Sequence, residues 1–179
     1  MLFKQHILFT EKECNSILDL IEVDGWTDST IINSKGDSEY KPGVRKTREF
    51  VITDNKSLQK IVIPKVKQHG IGTLPVNTKI LEYEEGSFFK RHADRGRTPI
   101  GSEADDRLMT LIIQLSGNDD YNGGELIVDE TVIDKTKGNT IIFDSGALHQ
   151  VNKLISGKRY ALVSWIKKEH MNNELGRLL

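Results

Sequence analysis

Two histidines and an aspartate stand at positions where they could bind one metal ion together. His92 and Asp94 are two residues apart, and His149 follows far downstream. If residue 92 lies in a strand, the side chains of His92 and Asp94 point the same way, because strand side chains alternate between two faces. Two imidazoles and one carboxylate on one side of a metal suit non-haem Fe(II) and leave further coordination positions open. The sequence therefore predicts an iron site at these three residues.

An arginine ten residues after His149 could bind an organic acid at that metal. Arg159 carries a planar fork of donors that matches a carboxylate. Lys158 is its nearest rival, but adjacent strand residues face opposite sides, so only one of the two can point inward. Trp165 falls on the same face as Arg159. We expect Arg159 to point into the site and Lys158 to point out of it.

The segments around these residues are typical of short strands separated by turns rich in Gly, Asn and Asp. The predicted strands cover residues 80–83, 87–92, 108–115, 125–128 and 140–143, a segment that begins at His149, and residues 159–165, while 119–124 is predicted to be a turn. Many short strands of this kind indicate a mainly β fold, a double-stranded β-helix or jelly roll with flanking N-terminal helices. Such a barrel can bring ligands from distant strands together.

The N-terminal part of the chain predicts helices and a flap. Thr10 and Glu13 form a capping box that opens a helix over residues 10–22. A second helix is expected over 57–69, bent or ended by Pro64.

Two long polar segments then read as loops. Residues 28–47 are predicted to be a flexible flap at the mouth of the site, and 95–106 a substrate-facing loop. We predict a single oxygenase domain over 1–179, with helical support and flap at 1–75, a jelly-roll core at 76–168 and a C-terminal tail at 169–179.

An ordered set of motifs from about Ile80 to Ile166 carries a family resemblance. The set comprises Tyr83-x-x-Gly86, His92-x-Asp94, Arg107-x-x-Thr110, Tyr121-x-Gly123-Gly124-Glu125-Leu126, Gly138 with Phe143, His149-x-Val151, and Gly157-Lys158-Arg159-Tyr160 ending at Trp165. It resembles the prolyl 4-hydroxylase-like branch of the Fe(II)/2-oxoglutarate oxygenases, in a form closest to the small bacterial and viral members.

The resemblance implies roles for individual residues. It implies that His92, Asp94 and His149 are catalytic iron ligands and that Arg159 pairs with the C5 carboxylate of 2-oxoglutarate. It further implies that Tyr83 lies near this co-substrate and that Thr110 and Trp165 line its pocket.

One residue departs from the family pattern. Several members have a tyrosine where Gln114 stands, and use its hydroxyl to help bind the co-substrate. An amide can also donate a hydrogen bond, so we keep Gln114 among the residues expected to bind the co-substrate.

The resemblance also implies an activity. It implies a dioxygenase that uses Fe(II), 2-oxoglutarate and O2, with ascorbate as a stimulant, and hydroxylates an aliphatic C–H bond, giving succinate and CO2. A peptidyl proline in a protein or peptide partner is the expected substrate. Two alternatives stay open: an oxygenase acting on a free amino acid or other small molecule, and a non-catalytic metal-binding jelly-roll (cupin-like) module.

Composition limits the remaining possibilities. The chain has 179 residues, a formal net charge of −1 and a single cysteine, Cys14. The charge argues against nucleic acid as a partner, and the lone cysteine fits a reducing compartment. We see no signal peptide and no apolar run long enough for a membrane span. We therefore expect a cytoplasmic protein, or one of the host cytoplasm if viral, that does not bind membranes; the sequence does not predict the oligomeric state.

Other polar residues have simpler interpretations. Asp144, Ser145 and His149 could suggest a hydrolase triad, but residues 144–146 read as a turn. His6, His69 and His170 have no partner at ligand spacing and are interpreted as structural or solvated. Basic residues, Arg45 and Arg95 among them, could form a rim around the site, although solvated surface charge is the simpler interpretation.

Overall fold

The computed structural model describes residues 4–22, 24–96, 100–102 and 104–172, and these build a mainly β protein with two helices. The helices are α1 (Glu11–Leu18) and α2 (Asn55–Val66). The strands, numbered in chain order, are β1 (Lys4–Ile7), β2 (Thr27–Asp28), β3 (Ile31–Ile32), β4 (Ser38–Glu39), β5 (Arg45–Lys46), β6 (Arg48–Val51), β7 (Lys79–Tyr83), β8 (Phe88–His92), β9 (Met109–Gln114), β10 (Tyr121–Gly123), β11 (Leu126–Val128), β12 (Thr131–Val132), β13 (Asn139–Asp144), β14 (His149–Val151), β15 (Leu154–Gly157) and β16 (Arg159–Ile166).

Two antiparallel sheets form the body of the fold. The major sheet has the order β1-β13-β9-β16-β7-β6-β2, and the minor sheet has the order β12-β11-β14-β8-β5. The remaining strands form two short antiparallel pairs, β10 with β15 and β3 with β4. The jelly-roll prediction is confirmed, and β16 is the central strand of the major sheet, as its β-branched and aromatic composition predicts.

Apolar side chains on the two faces of the major sheet belong to two different clusters. On β9, Leu111 and Ile113 pack in the cluster that contains residues of both helices, whereas Ile112 packs in the cluster shared by the two sheets. Thr110 and Gln114 point to the same side as Ile112 because their positions differ by two. One strand thus supplies apolar side chains to the helix layer and polar side chains to the space between the sheets.

Both predicted helices are present, with different bounds. Thr10 caps α1, and Glu13 completes the capping box as expected, but the helix ends at Leu18 rather than at residue 22. The second helix begins earlier than predicted, at Asn55, because Asp54 caps it. Pro64 lies inside the helix. The α-helix continues for two residues beyond it, to Val66, and a 3-10 turn follows at Lys67–His69.

Two segments predicted to be irregular contain strands. The turn predicted at 119–124 includes β10, which pairs with β15. The flap predicted at 28–47 is not a bare loop: it holds the β3–β4 hairpin and ends in β5, which joins the minor sheet. Asn33 closes the hairpin by accepting backbone hydrogen bonds from Lys35 and Asp37. Sequence alternation could not detect strands only two residues long.

Some predicted segments extend past the described residues. The tail expected at 169–179 is described only as far as 172, and the loop expected at 95–106 lacks 97–99 and 103. Within the part of the chain that is described, no helix is long and apolar enough to cross a membrane.

Candidate metal centre

The three predicted metal ligands meet between the sheets. Strand β8 ends at His92 and β14 begins at His149, and these two residues are direct partners in the antiparallel register. The Asp94 carboxylate lies 3.6 Å from Nε2 of His92 and 3.5 Å from Nε2 of His149. All three ligand atoms lie within 4.8 Å of one another. In the described chain this is the one His/Cys/Asp/Glu group close enough to hold a metal, and His6, His69 and His170 do not take part.

Backbone carbonyls set the orientation of both imidazoles. Nδ1 of His92 lies 2.8 Å from the Lys90 carbonyl oxygen, and Nδ1 of His149 lies 3.1 Å from that of Ala147. A protonated Nδ1 donates to each carbonyl and leaves Nε2 as the free lone pair, directed at Asp94. Each ring therefore presents the nitrogen that a metal requires.

Hydrogen bonds fix the carboxylate between them. The Thr110 hydroxyl donates to Oδ2 of Asp94 at 2.6 Å, and the Asp94 amide donates to the Ser145 carbonyl oxygen at 2.8 Å. The Ser145 hydroxyl lies 3.1 Å from that of Thr110. Ser145 is therefore buried against the support of the site, which agrees with the rejection of a hydrolase triad.

The surroundings of the triad shift the pKa values of Asp94 and His149 downward. Burial alone would raise the pKa of Asp94, but the two imidazoles and the Thr110 hydroxyl outweigh it and hold that pKa well below its ordinary value. Burial lowers the pKa of His149, and the nearby carboxylate opposes this only in part. An ionised carboxylate is the form in which Asp94 binds a cation.

A buried arginine forms the floor of the pocket behind the triad. Arg159 is 1% exposed, and its Nη2 donates to Oε1 of Gln114 at 2.9 Å. The guanidinium carbon lies 4.9 Å from the ring centre of Tyr83, the partner of Arg159 on β7. Lys158 points outward and pairs with Glu84 and Glu82, as predicted.

Several buried donors in and behind this pocket, three of them near Arg159 or on Trp165, lack an acceptor among the described residues. These three are Nε of Arg159, Nε2 of Gln114 and Nε1 of Trp165. Arg159 and Trp165 line the pocket, and Gln114 lies directly behind Arg159. Buried donors normally find a partner, so unmatched donors at a pocket indicate an acceptor-rich ligand. A carboxylate at the floor would satisfy Arg159 and Gln114 together.

The pocket opens into a wider cleft. The inner pocket is narrow, with a cavity volume of about 30 Å³, and the cleft in front of the triad has a cavity volume of about 240 Å³ and is open to solvent. Trp165 lines both spaces, whereas Tyr83 and Thr110 line the inner one. The hairpin contributes Ile31 and Ile32 to the cleft, so the segment predicted as a flap does lie at the mouth.

Several residues at the site were missed or misread in the sequence. The Phe89 ring stacks on His92 at 3.6 Å between centroids, and no sequence pattern indicated this. Arg45, interpreted above as rim or solvated surface charge, is only 4% exposed and lines the inner pocket. That interpretation was wrong because a two-residue strand pairs Arg45 with Phe89 and turns its side chain inward.

Comparison with known proteins gives one family. A profile described as the 2OG-Fe(II) oxygenase superfamily, where 2OG is 2-oxoglutarate, matches residues 78–167. A PKHD-type hydroxylase of Gluconobacter oxydans is 31% identical over 104 residues, which cover 54% of this chain and 45% of that protein. This chain spans about half the length of the curated relatives that it matches first.

Solved structures share the fold. A prolyl hydroxylase from Trichoplax adhaerens, in complex with a peptide of the hypoxia inducible factor, has a TM-score of 0.70 and 18% identity, with 98% of this chain and 86% of that chain covered. The viral collagen prolyl hydroxylase of Paramecium Bursaria Chlorella virus-1 has a TM-score of 0.65 and 18% identity, covering 92% and 95%.

Proposed function

The chain belongs to the 2OG-Fe(II) oxygenase superfamily, and from this premise we propose that it is a dioxygenase that hydroxylates an aliphatic C–H bond, with a peptidyl proline as substrate. The observation that carries the proposal is the juxtaposition of two groups: a metal-binding triad on the minor sheet and a buried arginine on the major sheet, facing one pocket.

The donor set fits the iron that the family requires. His92, Asp94 and His149 would hold Fe(II) through two imidazole nitrogens and a carboxylate oxygen, the set that this metal takes in such oxygenases. Bound iron, 2-oxoglutarate and O2 would supply the oxidising chemistry and leave succinate and CO2. The protein's own part is to hold these ligands rigidly, and Thr110 does so for Asp94.

The pocket floor fits the far end of 2-oxoglutarate. Arg159 and Gln114 offer two unmatched donors where its C5 carboxylate would lie. Because Gln114 already accepts from Arg159, its amide nitrogen is left to donate, which is the role that a tyrosine hydroxyl has in several family members. Contacts at both ends of the co-substrate would hold it in one orientation at the metal, which is the positioning contribution to catalysis.

Two observations, the names of the relatives and the shape of the cleft, support a prolyl substrate. Relatives are named PKHD-type hydroxylases, and structures of the same fold are titled prolyl hydroxylases, one of them with a peptide. The cleft in front of the triad is open to solvent and bordered by the β3–β4 hairpin, so an extended peptide segment can reach the metal ligands.

The first experiment is an anaerobic titration with Fe(II) and then 2-oxoglutarate. Chelated co-substrate gives a weak charge-transfer band in the visible, which we expect in the wild-type protein and not in His149→Ala. In Arg159→Ala we expect the band to require a much higher 2-oxoglutarate concentration. Iron binding without any band would contradict the proposal and favour the non-catalytic module.

A second experiment tests the substrate. Proline-containing peptides, free proline and other free amino acids would be incubated with the complete system, and products would be analysed by mass spectrometry. A gain of one oxygen on a peptidyl proline supports the proposal. Succinate release with oxygen added only to a free amino acid would support the small-molecule alternative.

A further inference from the structure

A network of buried charges forms one wall of the cleft. Glu49 on β6 accepts a hydrogen bond from Nζ of Lys79 on β7 at 2.6 Å, and its other oxygen lies 3.5 Å from Nη2 of Arg45 on β5. The Arg45 and Glu49 side chains are 5% and 9% exposed, and that of Lys79 is 18% exposed. Burying two cations and one anion is costly unless something stabilises the excess positive charge.

Donors on this wall remain unmatched. Arg45 donates to the Thr30 carbonyl oxygen and the Thr47 hydroxyl, whereas its Nη2 and Oε2 of Glu49 form an ion pair at 3.5 Å in which neither atom makes a hydrogen bond among the described residues. The indole nitrogen of Trp165, which lines the same cleft, has no acceptor among the described residues. Guanidinium and indole nitrogens can only donate, so an acceptor in the cleft would satisfy Trp165 and add a hydrogen bond to Arg45.

The cations lie next to the reacting centre. The Arg45 guanidinium packs 4.8 Å above the Phe89 ring, and Phe89 stacks on His92, so a single ring separates this cation from a metal ligand. Nζ of Lys79 lies 5.7 Å from the ring centre of Trp165, and both residues line the cleft. A group bound by Arg45 therefore lies close to the metal ligands.

The charges of the cleft lining are unequal. Its described members include four cationic side chains and one carboxylate, which is the metal ligand Asp94; the cations are Arg45, Lys79, Arg95 and Arg107. Arg95 is paired with Asp144 at the edge. Glu49, behind the lining, offsets only one of the two charges of Arg45 and Lys79. This pair of cations retains a positive excess that favours an anionic partner.

We propose that the substrate presents a carboxylate to Arg45 and Lys79, on the hydroxylated residue or on its immediate neighbour in the peptide. This inference rests on the proposed function, because it places the carboxylate relative to the carbon to be hydroxylated. The group is the α-carboxylate of a C-terminal or free residue, or the side chain of an adjacent Glu or Asp. Charge-assisted hydrogen bonds to a cation in a partly dry cleft are the strong ones.

The test compares matched ligands that differ only in the carboxylate. One pair of short peptides has Glu or Gln beside a central proline, on either side, and another pair ends in proline as the free acid or the amide; free proline completes the set. Binding to the Fe(II) and 2-oxoglutarate complex is measured by anaerobic calorimetry, with 2-oxoglutarate matched in both solutions. We expect an acidic ligand to bind at least about tenfold more tightly than its neutral partner, the change in Kd expected of one such hydrogen bond.

Two variants should change this preference in opposite directions. The preference is expressed as the Kd of the neutral ligand divided by the Kd of the acidic one. Lys79→Met removes a cation and should bring this ratio close to one. Glu49→Gln removes the internal counter-charge and should raise the ratio. A purely structural network predicts equal effects on acidic and neutral ligands. Lys60→Met, on the exposed side of α2, is the matched control and should leave the ratio unchanged. If Lys79→Met does not fold, as judged by circular dichroism, the rise with Glu49→Gln still decides.

Each outcome decides the inference. The pair that shows the preference identifies whether the carboxylate comes from a side chain or from a chain terminus. Equal binding of acidic and neutral ligands, no binding of any acidic ligand, or no rise in Glu49→Gln would overturn it. The charge-transfer band is recorded on the same samples, so a failure of this inference with the band present leaves the oxygenase proposal standing.

Discussion

At the scale of single residues, the site depends on groups that orient the ligands as much as on the ligands themselves. Backbone carbonyls fix both imidazoles, and one hydroxyl fixes the carboxylate. Thr110 is fully buried, so water cannot replace its hydrogen bond to Asp94. Such supporting contacts commonly contribute tenfold or more to metal affinity.

We therefore expect Thr110→Val to weaken Fe(II) binding by about 10- to 100-fold. Valine keeps the shape of the side chain but removes the donor to Asp94, so the carboxylate loses its fixed orientation. The Kd for Fe(II) would be measured by anaerobic competition with a chelating dye. Thr110→Ser keeps a hydroxyl and should restore most of the affinity; equal weakening in both variants would indicate a packing effect instead.

The residue types at the centre of the site could be predicted from sequence, but their surroundings could not. His92, Asp94 and Arg159 could be proposed from sequence because ligand chemistry and strand alternation are local rules, although β8 ends at His92 and Asp94 lies beyond it. Arg45 and Phe89 were not, because their positions depend on the pairing of β5 with β8. A two-residue strand has too few side chains for any alternation to be visible.

At the scale of elements, the connection between β11 and β12 contains local strain. Asp129 and Glu130 link the strands as a two-residue turn, and both have positive φ, 43° and 67°. Side chains of L-residues are disfavoured there, and glycine or asparagine is usual in such type I′ turns. Three contacts hold the turn. The Asp129 amide donates to the Leu148 carbonyl oxygen, the Leu148 amide donates to the Asp129 carboxylate, and Arg91 pairs with Glu130.

Glu130→Gly should stabilise the protein by about 0.5–1 kcal/mol, because the relief of a disfavoured φ exceeds the added entropy of the unfolded chain. The lost ion pair is exposed and contributes little. The readout is the free energy of unfolding in urea. Glu130→Ala also removes the ion pair but keeps the strain, so it should show no gain; a gain of equal size in alanine would contradict the explanation.

The elements were predictable where a pattern ran for four residues or more. The strands ending at Tyr83, His92 and Gln114 match their predictions within two residues, and the capping box of α1 was read correctly. The predicted end of α1 and the predicted start of α2 were wrong, because helix ends depend on which residues cap them. In α2, Asp54 caps the helix, so the helix begins at Asn55 rather than at Ser57.

At the scale of the whole molecule, the candidate site joins the two sheets. The triad lies at the ends of β8 and β14 in the minor sheet, and Arg159 lies on β16 in the major sheet. Contact between His92 and His149 depends on strand pairing far apart in sequence, which the resemblance implied and no local pattern could establish. A ligand that reaches from the metal to Arg159 would link the sheets across their shared apolar cluster.

We therefore expect 2-oxoglutarate to stabilise the fold only when the metal is present. Fe(II) and 2-oxoglutarate at about 100 times their Kd should each add about 2.7 kcal/mol, and together raise the anaerobic melting temperature by roughly 10–20 °C for a chain of this size. Without metal, 2-oxoglutarate has one anchor instead of two and should shift the transition little; a chelator should reverse the gain. His149→Ala should lose the joint effect, and Lys60→Met should keep it. An equal shift from 2-oxoglutarate with and without metal would mean that the co-substrate does not bridge the sheets, whatever else it binds.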